Sequence, residues 1–223
     1  LISCGCCYNN NSNMNSSPHT FHMAAPAGSL EGLVDEPSNP PFDAARGTVV
    51  IAHPHPLFGG TMDNKVVQTL ARAFVQAGWR AVRFNFRGVG ASEGVYDHGN
   101  GELQDFLAVV QHMAPEGRLS LAGFSFGAFV TSHALLALAA REPEQVVLVG
   151  TAASRFAVAP VAPDFHDRTL VLHGEQDDTV PLADVMNWAR PQSLPVTVVP
   201  GGGHFFHGQL PLLRNIVARH LRG

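Results

Sequence analysis

At 223 residues and 45% hydrophobic content, the chain can bury one domain with a core on both sides of a sheet, and is too short for two comfortable domains. Its formal net charge of -4 comes without any basic block, which excludes the electrostatic footprint of a nucleic-acid binder or of a protein drawn to anionic membranes.

The three cysteines, Cys4, Cys6 and Cys7, all precede the region with a core-forming pattern, so no disulfide framework is expected there. That usage fits a reducing, cytoplasmic setting. Leu1 to Cys4 has the look of a lipoprotein cleavage box without the charged and long apolar segments that should precede one. The trio of thiols lacks a fourth ligand for a structural metal. Residues 8–17 are rich in Asn and Ser and have almost nothing to bury. We therefore expect residues 1–20 to form a disordered tail or read-through segment, with translation starting at Met14 or Met23, and a folded domain over 21–223.

Residues 21–34 alternate in short apolar steps broken by Pro26 and Gly28, the pattern of an antiparallel hairpin at a sheet edge. A Pro-containing connector over 37–46 leads into Thr48-Val49-Val50-Ile51-Ala52, a continuous apolar strand of the kind buried on both faces in parallel sheets. Val66, Val67, Leu70 and Phe74 share one helical face, with Thr61 or Asp63 as the cap and Gly78 beyond the end. A strand over 80–84 follows. Leu103, Phe106, Leu107 and Val110 then repeat at helical spacing until Pro115 and Gly117 close the element. Strands are expected over 119–124, 145–149, 169–172 and 196–199, and helices over 126–140, 182–188 and 209–221. Such βα repetition defines an α/β fold: a mostly parallel central sheet with helices on both faces and right-handed crossovers. Too few residues lie between 149 and 169 for a folded cap, so no cap domain is expected and the site should be open.

The chemistry is concentrated at Gly123-Phe124-Ser125-Phe126-Gly127-Ala128, where an apolar strand turns abruptly into a helix with a serine at the tip. Each small residue there has a steric reason, because backbone must pass close to backbone in so tight a turn. The N–H of Phe126 opens the helix and points where an oxyanion would form. Residues 119–140 also form an uncharged stretch of membrane-spanning length. Gly and Ser clustered in its middle favour a buried strand followed by a buried helix, so no membrane span is expected.

A serine hydroxyl needs a base, and the base an acid to hold its tautomer. After the strand over 169–172 comes His173-Gly174-Glu175-Gln176-Asp177-Asp178-Thr179-Val180-Pro181, which brings carboxylates to the strand edge that carries Ser125. Asp177 is the acid candidate and Asp178 its alternative. Gly201-Gly202-Gly203-His204-Phe205-Phe206-His207 follows the strand over 196–199, with His204 as the base candidate and His207, expected in the first turn of the next helix, as its alternative.

These three segments, in the order Ser, Asp, His, resemble those of the α/β-hydrolase superfamily. His53-Pro54-His55-Pro56-Leu57-Phe58-Gly59-Gly60-Thr61-Met62 and Arg83-Phe84-Asn85-Phe86-Arg87-Gly88-Val89-Gly90 are similar to segments of its small bacterial members without a cap, esterase-like serine hydrolases. The resemblance covers roughly residues 21–223. It implies Ser125 as nucleophile, Asp177 as acid and His204 as base, with one oxyanion donor at Phe126 and a second in the loop after His53. Pro54 and Pro56 have no N–H, so the second donor is His55 or, more remotely, Leu57. Asn85 stands where many relatives carry Asp.

Competing readings are weaker. His53 and His55 form a two-apart pair without further ligands at metal-site spacing, so no metal and no cofactor is expected. Arg87-Gly88-Val89-Gly90 lacks the third glycine and the acidic ribose partner of a dinucleotide loop. A binding module that kept the fold without turnover would not need the three polar segments. The expected partner is a small-molecule carboxylic ester with a short to medium acyl chain, with a thioester, lactone or amide on the same triad as the alternatives, accommodated by some of Phe58, Phe126, Phe156, Phe165, Phe205 and Phe206. Activity should rise through roughly pH 6 to 7 as an imidazole base becomes neutral.

Overall fold

The computed structural model describes residues 18–38 and 44–222. The cysteines, the Asn- and Ser-rich run and part of the 37–46 connector lie outside the described residues. The first strand, β1 (His19–Ala25), begins two residues before the expected domain boundary and pairs with β2 (Gly28–Asp35) as an antiparallel hairpin. Along the chain follow β3 (Thr48–Ala52), α1 (Lys65–Gln76), β4 (Arg80–Phe84), α2 (Asn100–Met113), β5 (Leu119–Phe124) and α3 (Phe126–Ala137). β6 (Val146–Val149), β7 (Thr169–Gly174), α4 (Leu182–Ala189), β8 (Val196–Val199) and α5 (Leu210–His220) complete it.

The eight strands form one sheet in the order β1-β2-β4-β3-β5-β6-β7-β8, antiparallel at the hairpin and where β2 meets β4, and parallel from β4 onward. Side-chain alternation explains why the central strands read as unbroken apolar runs. Val50 and Ala52 of β3 join a core with Phe106 of α2 and Ala128 and Val130 of α3, while Val49 and Ile51 join a second core with Val67 and Leu70 of α1 and Leu213 of α5. Both faces of the sheet are therefore dry. From β3 the chain moves outward to β4 and then returns across β3 to β5. The loops leaving β3 and β5 thus face one another at a topological switch point, where α/β sheets open a crevice.

Three local expectations change. Helix α1 is capped by Asn64, whose Oδ1 accepts the Val66 N–H at 2.9 Å, rather than by Thr61 or Asp63. Helix α3 ends at Ala137, and residues 139–141 form a separate 3-10 turn. Helix α5 starts at Leu210, which leaves His207 in the preceding turn and not in the helix. Among the described residues, no helix is long and apolar enough to cross a membrane; the uncharged 119–140 stretch divides into β5, α3 and that 3-10 turn.

The loop after β4 is fixed by charge. Arg87 reaches Asp105 of α2 through Nε to Oδ2 at 3.0 Å and Nη2 to Oδ1 at 2.7 Å, and its own N–H donates to Oδ2 at 3.0 Å. Both side chains are buried, so removing one partner strands a charge without water. Asp105→Ala should lower the unfolding free energy by about 3–5 kcal/mol. Urea titration followed by circular dichroism measures this, and an unchanged midpoint would mean the pair contributes nothing.

Candidate active site

Strand β5 is buried along its whole length and delivers Ser125 to the carboxyl edge of the sheet. Ser125 has φ 59° and ψ -117°, a conformation disfavoured for an L-residue and imposed by its surroundings. Its N–H donates to Val149 O at 2.8 Å, which ties the turn to the end of β6. A Cβ on Gly123 would meet Gly127 O at 2.3 Å, and one on Gly127 would meet Ala52 O at 2.4 Å and His53 O at 2.6 Å. Only hydrogen fits at either position, and the second contact seats the start of α3 directly on the end of β3. Ser125 O accepts the N–H groups of Ala128 and Phe129, and the Phe126 N–H stands in the first turn of α3, at its positive end.

His204 arrives from the other side. The Gly201–Gly203 run after β8 packs against the end of β7, where a Cβ on Gly174 would come within 2.3 Å of Gly202 O. The Ser125 hydroxyl donates to His204 Nε2 at 3.0 Å, and His204 Nδ1–H donates to Asp177 Oδ2 at 2.7 Å. The other carboxylate oxygen, Oδ1, accepts the N–H groups of Thr179 at 3.0 Å and Val180 at 2.7 Å. Burial pushes Asp177 up, but the hydrogen bonds from His204 and Val180 and the nearby imidazoles outweigh it and hold the carboxyl below its ordinary value. All three side chains are buried, and Ser125 retains 7% exposure. The alternatives lie elsewhere: Asp178 is exposed beside the Thr179 hydroxyl, and His207 is exposed with its ring beside that of Phe205.

The loop after β3 closes the crevice. His53 is fully buried, accepts the Phe86 N–H on Nε2 at 3.0 Å and donates Nδ1–H to Pro54 O at 2.6 Å, so both ring nitrogens are committed within the protein. His55 caps the 3-10 turn Pro56–Phe58, with its Nδ1 accepting the Leu57 N–H at 3.2 Å. Of the two donors weighed for this turn, Leu57 is thereby engaged. The His55 ring lies 5.0 Å from that of Phe126, 4.7 Å from Phe58 and 4.8 Å from Tyr96, which holds the turn against the serine elbow. Burial, with Arg155 and His98 nearby, pushes its imidazole down. Among the described residues, no three His, Cys, Asp or Glu side chains gather as a metal-ligand set.

The six phenylalanines separate. Phe206 and Phe165 belong to the two cores, Phe126 is buried beneath His55, Phe156 is half-buried against Phe126, and Phe58 and Phe205 are exposed. Asn85 is a neutral hinge, donating to Glu31 Oε1 at 2.6 Å and accepting the Met62 N–H at 2.8 Å. Two residues at the site escaped the sequence reading. Tyr96 had no signal beyond being an aromatic residue in a Gly-containing loop. His173, fully buried beside Asp177, had one: a polar residue continuing an apolar strand.

A serine in a strand-to-helix elbow, hydrogen-bonded to histidine and through it to aspartate at the switch point of such a sheet, defines a serine hydrolase of α/β fold. A family model described as serine aminopeptidase, S33, matches residues 43–166, and the chain belongs to this family of α/β-fold serine hydrolases. A lid-free α/β serine hydrolase of Xanthomonas campestris is 36% identical, with a TM-score of 0.83 over 95% of this chain and 97% of that one. An α/β serine hydrolase homologue of Coxiella burnetii is 38% identical, with a TM-score of 0.76 over 91% and 97%. An uncharacterized protein of Rickettsia prowazekii (strain Madrid E) is 36% identical over 128 residues, 56% of this chain and 50% of that relative, so the match spans half its length.

Two stability effects follow from this geometry. Burial pushes the His53 imidazole down from 6.5 to about 4, against the opposing pull of its bond to Pro54 O. The unfolded imidazole takes up its proton near 6.5, so this contribution is complete above that pH and is lost as pH falls toward 4, about 3 kcal/mol in all. His173 and His220, also shifted down by burial, add to the slope. Urea unfolding at pH 7 and near pH 4 should show His53→Gln losing less stability over that interval than the wild type. Ser125→Gly should raise stability by about 1–2 kcal/mol by relieving the backbone strain, read as an increase in thermal midpoint.

Proposed function

We propose that the protein hydrolyses carboxylic esters of short to medium acyl chains through an acyl-enzyme intermediate. One observation carries the reading: the unbroken hydrogen-bond chain from Ser125 Oγ to His204 Nε2, at 3.0 Å, and from His204 Nδ1 to Asp177 Oδ2, at 2.7 Å. In this reading His204 takes the hydroxyl proton as Ser125 Oγ attacks the ester carbonyl. Asp177, fixed by the Thr179 and Val180 N–H groups, holds the Nδ1–H tautomer and stabilises the imidazolium. The carbonyl oxygen becomes an oxyanion received by the Phe126 N–H and the His55 N–H, each donor contributing about 3 kcal/mol to the transition state. His204 then protonates the departing alkoxide, and a water molecule, deprotonated by the same imidazole, releases the acid and restores Ser125.

Esters are favoured over peptides by the open surroundings. The 150–168 connection between β6 and β7 carries only a 3-10 turn and no cap. Leu57 and Phe58 stand beside the oxyanion-side turn at 66% and 75% exposure, an apolar rim suited to a small acyl group.

Ser125→Ala should lower kcat/KM for p-nitrophenyl esters by about 10^4-fold or more without unfolding the protein, and should abolish labelling by a fluorophosphonate probe. Retained labelling would refute the assignment of Ser125. A wild type that resists the probe would favour a binding module of the same fold. A graded panel of acyl esters, thioesters, lactones and aminoacyl anilides ranks the substrate classes, and preference outside oxygen esters would redirect the reading.

A further inference from the structure

Beside the proposed triad lies a second imidazole that the mechanism above does not use. His173, the penultimate residue of β7, is fully buried. Its Nε2–H donates to Val180 O at 2.9 Å, and the same nitrogen lies 3.4 Å from Asp177 Oδ2, the oxygen that accepts from His204. Its Nδ1 is buried without a hydrogen-bond partner. Val180 is therefore held from both ends: its N–H by Asp177 Oδ1 and its carbonyl by His173. The turn that presents the acid is clamped between a strand terminus and the acid itself.

We propose that His173 is a positioning residue for Asp177: its Nε2–H fixes the 177–180 turn and flanks the carboxylate while the ring stays neutral, leaving the charge of Asp177 to His204. The inference rests on the esterase reading for its kinetic consequences. The surroundings enforce neutrality. A proton on Nδ1 would find no acceptor, and burial disfavours the charged ring, outweighing the opposite pull of Asp177. The titratable groups that reach His173 are Asp177 and His204. From the flanking strands β6 and β8, the ring's register is met by Val149, Gly150 and Val198, none of which titrates. On the same loop, Glu175 is occupied by the Gly201 N–H and Asp178 by the Thr179 hydroxyl. A charged second imidazole would instead divide the carboxylate between two cations.

Three arms test this. His173→Leu should lower kcat by about 10- to 100-fold with KM unchanged, and should move the acid limb of the kcat/KM profile to lower pH as the looser carboxylate supports the imidazolium less. His173→Gln, which keeps an N–H near the Nε2 position, should restore most of kcat and the limb. A folded His173→Leu enzyme with wild-type kcat and an unmoved limb would overturn the proposal, as would a Gln variant no better than the Leu variant. Where the Leu variant does not fold, nitrogen-15 NMR of the wild type decides: His173 should remain the Nε2–H tautomer from about pH 5 to 8, and protonation or the opposite tautomer in that range would overturn it. Ser125→Ala run in parallel separates the readings. Residual turnover there sinks the hydrolase assignment, whereas its loss beside a normal His173→Leu enzyme sinks only the role of His173.

Discussion

Ser125 occupies a backbone conformation that an L-residue adopts only under compulsion, and the fold around it is the compulsion. Gly123 lets α3 lie against β5, Gly127 lets it touch the end of β3, and Val149 holds the serine N–H from β6. Three adjacent strands thus converge on one residue. If the crossing from β5 to α3 relaxed, the hydroxyl and the first helical N–H would no longer face the same crevice. The dry cores on both faces of the sheet resist that relaxation, because every helix is anchored by apolar side chains with no aqueous alternative.

Polar groups beneath the crevice do a different job. His53, Asn85 and the Arg87–Asp105 pair connect the ends of β3 and β4 to α2 and to the loop before α1. Each link is a specific hydrogen bond in a poorly hydrated place, so each fixes geometry more strictly than an apolar contact would. The neutral Asn85 shows that this hinge needs donors and acceptors in the right directions, and needs no charge of its own.

The parts of the site legible in the sequence are those where backbone sterics dictate residue type. Gly123 and Gly127 exist because another backbone passes within contact, and of the glycine run before His204, Gly202 lies against the backbone of Gly174 while Gly201 takes a φ of 65° in open space; both patterns could be read from the sequence. Adjacent residues on a turn were harder to separate. Asp177 and Asp178 differ in outcome because only the first points inward at the 177–180 turn. Phe205 and Phe206 are neighbours with 42% and 0% exposure, at a turn where Phe206 takes a φ of 50°. The sequence ranks His55 ahead of Leu57 by position alone; that the Leu57 N–H is taken by the His55 ring is a local bond that hydrophobic pattern does not encode. His173 lies just past the strand end that the sequence suggests at Leu172, whereas β7 runs on to Gly174.

The turn bearing His55 has covalent stiffness on both sides. With pyrrolidine rings at positions 54 and 56, its unfolded ensemble is already narrow, and little configurational freedom remains to be surrendered when a ligand arrives. Its shape owes to ring closure as well as to the packing of the His55 ring on Phe58, Tyr96 and Phe126. Warming should therefore loosen the glycine-borne imidazole segment across the crevice well before it loosens this wall, making the two halves of the cleft unequal in their response to heat.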